Sequence, residues 1–563
     1  MKSRRNAPLA SLLVGLLATS SLAALTKVEA AAGNATLLGM VIDDAGRPIR
    51  GAMVRVSAAG KTIARYTDRD GRYRIPGLEA GRYEVSINAY GFALNKQTRD
   101  SADATEALIK LSPQNDMTRL TSADLRYLFP SSTEAYAVYA SCSTCHGFET
   151  VLPMRGMTAE GWRNFLPLMT VNRWGRSYFP DQARVAELAN GLEQVFGPQG
   201  TLGPGAQPDL SKVEYTPVED AALRATFTEY TIPSRRAMAH SVIVDDKTGT
   251  VWFSEFDAAS NKMARFDPDA EKFEQFPIPV PQSLAHTGAV LKDGSYLVGL
   301  DRFDADGKVA GVDRNGNVVV YELPGKRQGS RMVAVDPIRA DTAWLAAGDE
   351  VWRLDTKSKK FEIFKNPLAE RFPEGSFAGA TTLPGRRPAG NGYAIAVDSK
   401  GFPWVSQFEL GIIFKLDPDT AKTTVYHTPD MQSARGIAID AQDMIWFADY
   451  YGNKLGKLDP NTAQVKFYQP PTRNASPYGV TVDFRRNYIW FADTVGNNIT
   501  RFDPKTERFT EYALPTRNTS VRFISVDGKG RVWYGGFWNG ILGVVDPGDT
   551  EIGEAALRAT TPR

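Results

Sequence analysis

The chain has 563 residues, more than one hydrophobic core usually serves, which predicts several domains. With 42% hydrophobic and 23% charged residues, 49 Gly and 34 Pro, the composition excludes disorder and points to a loop-rich, mainly β protein. A formal net charge of +2 offers no electrostatic footprint for nucleic acid or an anionic membrane surface. At the N-terminus, Lys2, Arg4 and Arg5 precede an apolar run from Leu9 to Leu25, the pattern of a signal peptide over residues 1–30. Ser21 and Ala23, or Val28 and Ala30, offer cleavage sites, and a retained anchor is the alternative. No later stretch approaches the apolar length of a membrane span, so the mature chain is expected in the periplasm or secreted.

Residues 35–113 alternate strands and turns. Leu38 to Asp43 reads as a strand, Gly46-Arg47-Pro48 as a turn and Ala52 to Val56 as a second strand; Thr67 to Tyr73 is a hairpin turn and Gly81 to Val85 a further strand. The pattern G-x-V-x-D, P-x-x-G-A-x-V, T-D-x-D-G-x-Y and G-x-Y-x-V resembles carboxypeptidase regulatory-like domains, and the resemblance implies a small, non-catalytic β-sandwich. Asp68 and Asp70 are a candidate calcium pair, but acids in a tight turn commonly bond their own backbone.

The chain's two cysteines stand in Cys142-Ser143-Thr144-Cys145-His146, the C-x-x-C-H spacing of covalent haem attachment. Two thiols one helical turn apart can each add to a haem vinyl group, and the adjacent imidazole becomes the proximal iron ligand. A redox dithiol lacks a βαβ context here, and a zinc site lacks a second ligand pair. Helices are predicted at 131–141 with Ser132 or Thr133 as cap, from Thr158 toward Met169 with Pro167 disturbing the last turn, and at 181–196. Together they make a unit over residues 120–203 that resembles cytochrome c domains. The resemblance implies one haem c and a distal ligand, usually Met. Met169 lies on the apolar face of its helix and is the first candidate; Met154 and Met157 are alternatives. Met/His ligation raises the potential and suits electron transfer, whereas an open distal position suits ligand binding.

From residue 226 to 548 the chain is one repeat. Aromatic-led strands at Trp252, Tyr296, Trp344, Trp404, Trp446, Trp490 and Trp533 are each followed by a strand ending in Asp, at Asp267, Asp313, Asp355, Asp417, Asp459, Asp503 and Asp546. Their intervals of 46, 42, 62, 42, 44 and 43 residues give a propeller period, the long one marking a Gly/Pro-rich insertion near residues 370–391. The seventh repeat lacks its outer strand, and residues 226–233 match one, so they are expected to close the ring. Residues 549–563 form a tail. The predicted class is multidomain and mainly β: a β-sandwich, a small all-α cytochrome c unit and a seven-bladed β-propeller. Five residues before the end of each inner strand stand His240, His286, Arg331, Tyr393, Arg435, Tyr478 and Arg522, a ring expected to line the channel and to suit an anionic or oxygen-rich ligand.

The repeat resembles the virginiamycin B lyase family, in phrases such as Ile445-Trp446-Phe447-Ala448-Asp449 and Gly452 to Leu458. Its lyases, the resemblance implies, use a channel-mouth His as base and a magnesium ion held by Glu. His240 and Glu255 match one such blade, with His286 as a second candidate base. The acid two places before the catalytic His corresponds here to Met238 or Leu284, and the acids of other blades to Gln407, Asp449, Asp493 and Gly535. His240, His286 and Glu255 could alternatively hold a divalent or transition metal. Three functions follow: an exported haem protein exchanging electrons with an unidentified partner or a small-molecule substrate, a C–O lyase or hydrolase with an incidental haem, or a non-catalytic binding protein. Covalent haem attachment favours the first.

Overall fold

The computed structural model describes residues 35–548 apart from 104, 170, 172–181, 235–236, 302–306, 326–328, 349, 367–391 and 409. The expected signal peptide, the insertion near 370–391 and the tail lie outside these residues. Among the described residues no helix is long and apolar enough to cross a membrane.

Seven strands come first: β1 (Ala35–Asp43), β2 (Met53–Ala58), β3 (Lys61–Tyr66), β4 (Arg72–Leu78), β5 (Arg82–Asn88), β6 (Asn95–Asp100) and β7 (Ala107–Leu111). They form two layers, ordered β4-β1-β7 and β3-β2-β5-β6. Alternate residues of β1 point inward, as period-2 patterning requires, and Leu37, Val41, Val54, Ile75, Val85 and Ile87 are fully buried between the layers. In the β3–β4 turn, Asp68 Oδ1 accepts from the backbone N–H of Asp70 (2.9 Å) and Arg72 (2.8 Å), so the Asp68 carboxylate is spent on its own loop.

The helical region contains α1 (Ser122–Arg126), α2 (Thr133–Cys142), α3 (Ala159–Phe165) and α4 (Gln182–Phe196). Ser132 caps α2, its Oγ accepting from Ala135 N–H at 3.1 Å. Helix α3 stops before Met169: Pro167 falls in a 3-10 turn, Leu166–Leu168, because proline cannot donate the next helical hydrogen bond. Helices α2 and α4 approach closely at Gly191, where a Cβ would lie 2.5 Å from the Glu134 carbonyl. Leu125, Val138, Phe148, Leu188 and Phe196 form the core between them.

The remaining strands make seven four-stranded antiparallel sheets, an arrangement consistent with a propeller. Six are consecutive in the chain. The seventh combines three C-terminal strands with β8 (Thr226–Thr231), which pairs antiparallel with Ile541–Asp546, Asp546 opposite Thr226. Innermost strands adjoin from sheet to sheet and return to the first, where Ser241 and Phe523 form a parallel bridge. A repeated device fixes the first turn of four of the sheets. Trp344, Trp404, Trp446 and Trp533 donate indole N–H bonds of 2.9, 2.9, 2.8 and 3.0 Å to Asp336, Asp398, Asp440 and Asp527. The other oxygen of each aspartate accepts turn amides, for example those of Gln442 (2.9 Å) and Met444 (3.0 Å) on Asp440. Each buried indole is worth about 4 kcal/mol of apolar burial.

The sandwich and the ring share one sheet. Strand β3 pairs antiparallel with β8, from Lys61 opposite Tyr230 to Arg65 opposite Thr226, so eight strands run unbroken from the seventh sheet into the sandwich. The outer edge of that sheet is thereby covered.

Candidate functional site

All seven residues expected at the channel begin, or stand just before, an innermost strand, and the structure brings them together. The His240 and His286 rings lie 4.0 Å apart, and His286 meets Tyr393 edge-on at 6.0 Å. Arg522 Nη1 lies 3.2 Å from His240 Nε2 and donates to Tyr478 Oη at 3.1 Å; Arg435 Nη2 donates to the same oxygen at 3.0 Å. The hydroxyls of Tyr393 and Tyr478 are hydrogen-bonded. Arg331, the most exposed member, lies 3.9 Å from Asp301 and over the Tyr393 ring. Burial and the surrounding guanidiniums, with His286 adding to the effect on His240, hold both histidines well below the ordinary range, so both imidazoles are neutral at neutral pH.

The helical region closes one mouth of this channel with the Cys-x-x-Cys-His segment. The Cys145 carbonyl accepts from Arg522 Nη2 (3.2 Å) and from the indole N–H of Trp538 (2.8 Å). The Ser143 carbonyl accepts from Tyr450 Oη at 2.7 Å, and the Thr144 carbonyl lies 3.4 Å from Arg435 Nη2. Trp538 also meets the His146 ring edge-on at 5.8 Å, and its neighbour Phe537 lies under the Arg522 guanidinium at 3.6 Å and beside His240 at 5.6 Å. Away from the channel axis, Tyr139 Oη donates to the Asn474 carbonyl and Ala123 N–H to the Val495 carbonyl.

The donor set of this segment fits a covalently held haem. Cys142 and Cys145 form no disulfide and follow one another at the end of α2. The Thr150 hydroxyl donates to the Gly147 carbonyl at 2.7 Å, so the contacts of His146 Nδ1 with Gly147 O (3.0 Å) and Thr150 Oγ1 (2.9 Å) require Nδ1 to carry the proton. That tautomer leaves the Nε2 lone pair for iron, the arrangement in which a hydrogen bond orients a ligating imidazole. Burial holds His146 below its ordinary value and pushes the Cys142 thiol up to about 12. Met169, Met154 and Met157 are all half-buried against the core of the helical region, so each remains a candidate sixth donor.

Glu255 is placed elsewhere. Its buried carboxylate accepts from Ser234, Ser260 and Gln275 Nε2 (2.6 Å for the last) and makes no hydrogen bond to either histidine. Asp449 and Asp493, its counterparts on other sheets, accept loop amides from Ser433 and Ser476 at 2.8 Å each. Among the described residues no three His, Cys, Asp or Glu side chains gather as a metal site, and the Glu255 carboxylate is hydrogen-bonded to Ser234, Ser260 and Gln275. Sequence reasoning missed Trp538, Phe537, Tyr450 and Thr287. The last holds the histidine pair, with Oγ1 3.1 Å from His286 Nδ1 and 3.4 Å from His240 Nδ1. The aromatic pairs Tyr450-Tyr451 and Phe537-Trp538 follow the second strand of their repeats, where a fuller comparison between repeats would have singled them out.

Comparison with known proteins agrees with this architecture. The carboxypeptidase regulatory-like domain model matches residues 36–112, and the virginiamycin B lyase family model matches residues 381–560. The chain thus carries an N-terminal carboxypeptidase regulatory-like domain and a virginiamycin B lyase-like propeller domain. Among solved structures it is similar to a streptogramin B lyase, at 20% identity and a TM-score of 0.49 over 58% of this chain and 99% of that one. It is similar also to virginiamycin B lyase from Staphylococcus aureus, at 19% identity and a TM-score of 0.49 over 57% and 99%. No curated protein matches the chain.

Proposed function

We propose that the protein is an exported c-type haem protein in which the helical region carries one haem and a seven-bladed propeller channel beneath it receives a small anionic or oxygen-rich substrate, the two acting together in electron transfer. The observation that carries this reading is the joint at Arg522, whose two terminal nitrogens reach His240 in the channel and the Cys145 carbonyl in the attachment motif. Cys142 and Cys145 would hold the haem, His146 would ligate its iron and Met169 is the proposed sixth ligand. When bound, the group supplies one-electron chemistry. The chain's own residues do the rest: Trp538, Arg522, Arg435 and Tyr450 fix the motif's carbonyls, neutral His240 and His286 present imidazole edges, and the guanidiniums favour negative charge.

The test is haem staining after denaturation, with oxidised and reduced visible spectra, on protein exported with haem-maturation machinery. Retained haem with sharp reduced bands is expected, and its loss in the Cys142→Ser, Cys145→Ser chain. A colourless folded protein overturns the reading.

A second reading, a C–O lyase of the virginiamycin B lyase type, is favoured by the family match over residues 381–560 and by His240 at the channel mouth. The commitment of Glu255, Asp449 and Asp493 to serines, amides and Gln275 weighs against a magnesium site of that kind. Ring opening of a cyclic ester that survives Cys142→Ser with Cys145→Ser would establish it.

A further inference from the structure

We propose that Tyr478 rests as a phenolate, the buried anion that allows Arg435 and Arg522 to share the channel, and that Tyr478 rather than either histidine is the channel's proton acceptor. The argument begins with hydrogens. Tyr478 is fully buried, and two guanidiniums donate to its oxygen, at 3.0 Å from Arg435 and 3.1 Å from Arg522. A third neighbour, the Tyr393 hydroxyl, has Tyr478 as its hydrogen-bond partner and no other among the described residues. A phenol accepts two hydrogen bonds and donates one. If Tyr478 kept its proton it would donate it to Tyr393, and the proton of Tyr393 would then be buried with no acceptor. With one proton gone, Tyr393 donates to the Tyr478 oxyanion and neither hydroxyl is left with an orphaned proton.

The charge balance points the same way. Neither guanidinium meets a carboxylate within 4.0 Å among the described residues; their hydrogen-bond partners there are the Thr144 and Cys145 carbonyls, His240 and Tyr478. Arg435 Nε and Nη1 and Arg522 Nε have no hydrogen-bond partner among the described residues. Arg435 is stacked on Phe408, Tyr450 and Tyr478 at 4.3, 4.4 and 3.8 Å, which softens its burial without neutralising it. Two buried cations require a counter-charge. The groups packed around Tyr478 are Arg435, Arg522, Tyr393, Tyr450 and Phe523, with His240 beyond Arg522 and His286 and Arg331 beyond Tyr393; none can be that anion at neutral pH more readily than Tyr478 itself. Burial by itself would raise the Tyr478 hydroxyl, yet Arg435 and Arg522, with the bond from Tyr393, bring it below the ordinary phenol range, while Tyr393 is pushed up. A phenolate held by two guanidiniums is a weaker base than free tyrosinate and so works nearer neutral pH. None of this depends on haem.

The test is NMR of the full chain labelled with carbon-13 at tyrosine Cζ, recorded at neutral pH with and without Cys142→Ser and Cys145→Ser, so that the outcome is separate from that of the haem reading. One ionised Cζ resonance is expected among the 21 tyrosines, and its disappearance in Tyr478→Phe. If that variant fails to fold, Tyr393→Phe, which removes only the donor to the oxyanion, should move the ionised resonance's titration to higher pH. A wild-type spectrum in which every tyrosine is neutral overturns the proposal, as does an ionised resonance that survives Tyr478→Phe or a titration unmoved by Tyr393→Phe.

Discussion

Trp538 donates its indole N–H to the Cys145 carbonyl across 2.8 Å, tying the last sheet of the ring to the cysteine motif of the helical region. Phenylalanine at this position keeps most of the ring and removes the donor, while Arg522 still serves the same carbonyl. Trp538→Phe should therefore cost about 1 kcal/mol, read as a lowered denaturant midpoint with an unchanged slope. An unchanged midpoint would mean that this joint contributes nothing to docking.

The three methionines of the helical region are separated by their effect on potential. For the haem proposed above, Met/His ligation would raise the potential, so removing the sixth ligand would lower it. Met169→Ala should lower the midpoint in a redox titration and alter the reduced spectrum, while Met154→Ala and Met157→Ala leave both near wild type.

The channel histidines make stability depend on pH with a definite sign. Their folded values lie well below the unfolded value of about 6.5, so on acidification the unfolded chain takes up protons first. Their contribution is complete above about pH 6.5 and is lost as pH falls below it. Asp449 and Asp493, raised to about 6 by burial, act oppositely, gaining as pH falls from about 6 toward 3.8. The histidine part is isolated by difference. In denaturant titrations between about pH 7 and 5, His286→Gln should lose less stability on acidification than wild type.

Strand β3 covers the edge of β8, and that edge should become adhesive when uncovered. A chain lacking residues 35–113 should associate edge to edge, seen as dimers or larger species in light scattering. A monodisperse monomer would show that β8 protects itself.

How much of this was legible in sequence depended on periodicity. The ring's order, the strand that closes it and the seven channel residues follow from a repeat in which each sheet restates the last, so counting from one aspartate to the next locates a side chain in space. Glu255 shows where counting stops: it ends a strand whose pairing shifts between Phe253 and Glu255, and its carboxylate meets Ser234, Ser260 and Gln275 instead of the channel. The pairing of β3 with β8 joins segments some 165 residues apart, Ala64 opposite Phe227 for instance, and no local pattern marks such a bond. Nor does any local signal show that the carbonyls of Ser143, Thr144 and Cys145 face Tyr450, Arg435 and Arg522, since backbone oxygens carry no sequence signature.

Ring closure by β8 also imposes an order on biosynthesis. A chain that emerges N-terminus first presents the sandwich, the helical region and β8 before the first residue of the first sheet, and early segments generally fold first. Strand β8 can settle on β3 as soon as it appears, leaving its other edge open, and that edge waits for Ile541–Asp546, more than 300 residues later. The final strand of the ring therefore arrives at a template already in place, and the cysteine motif is exposed to modification until the sheets that cover it have been built.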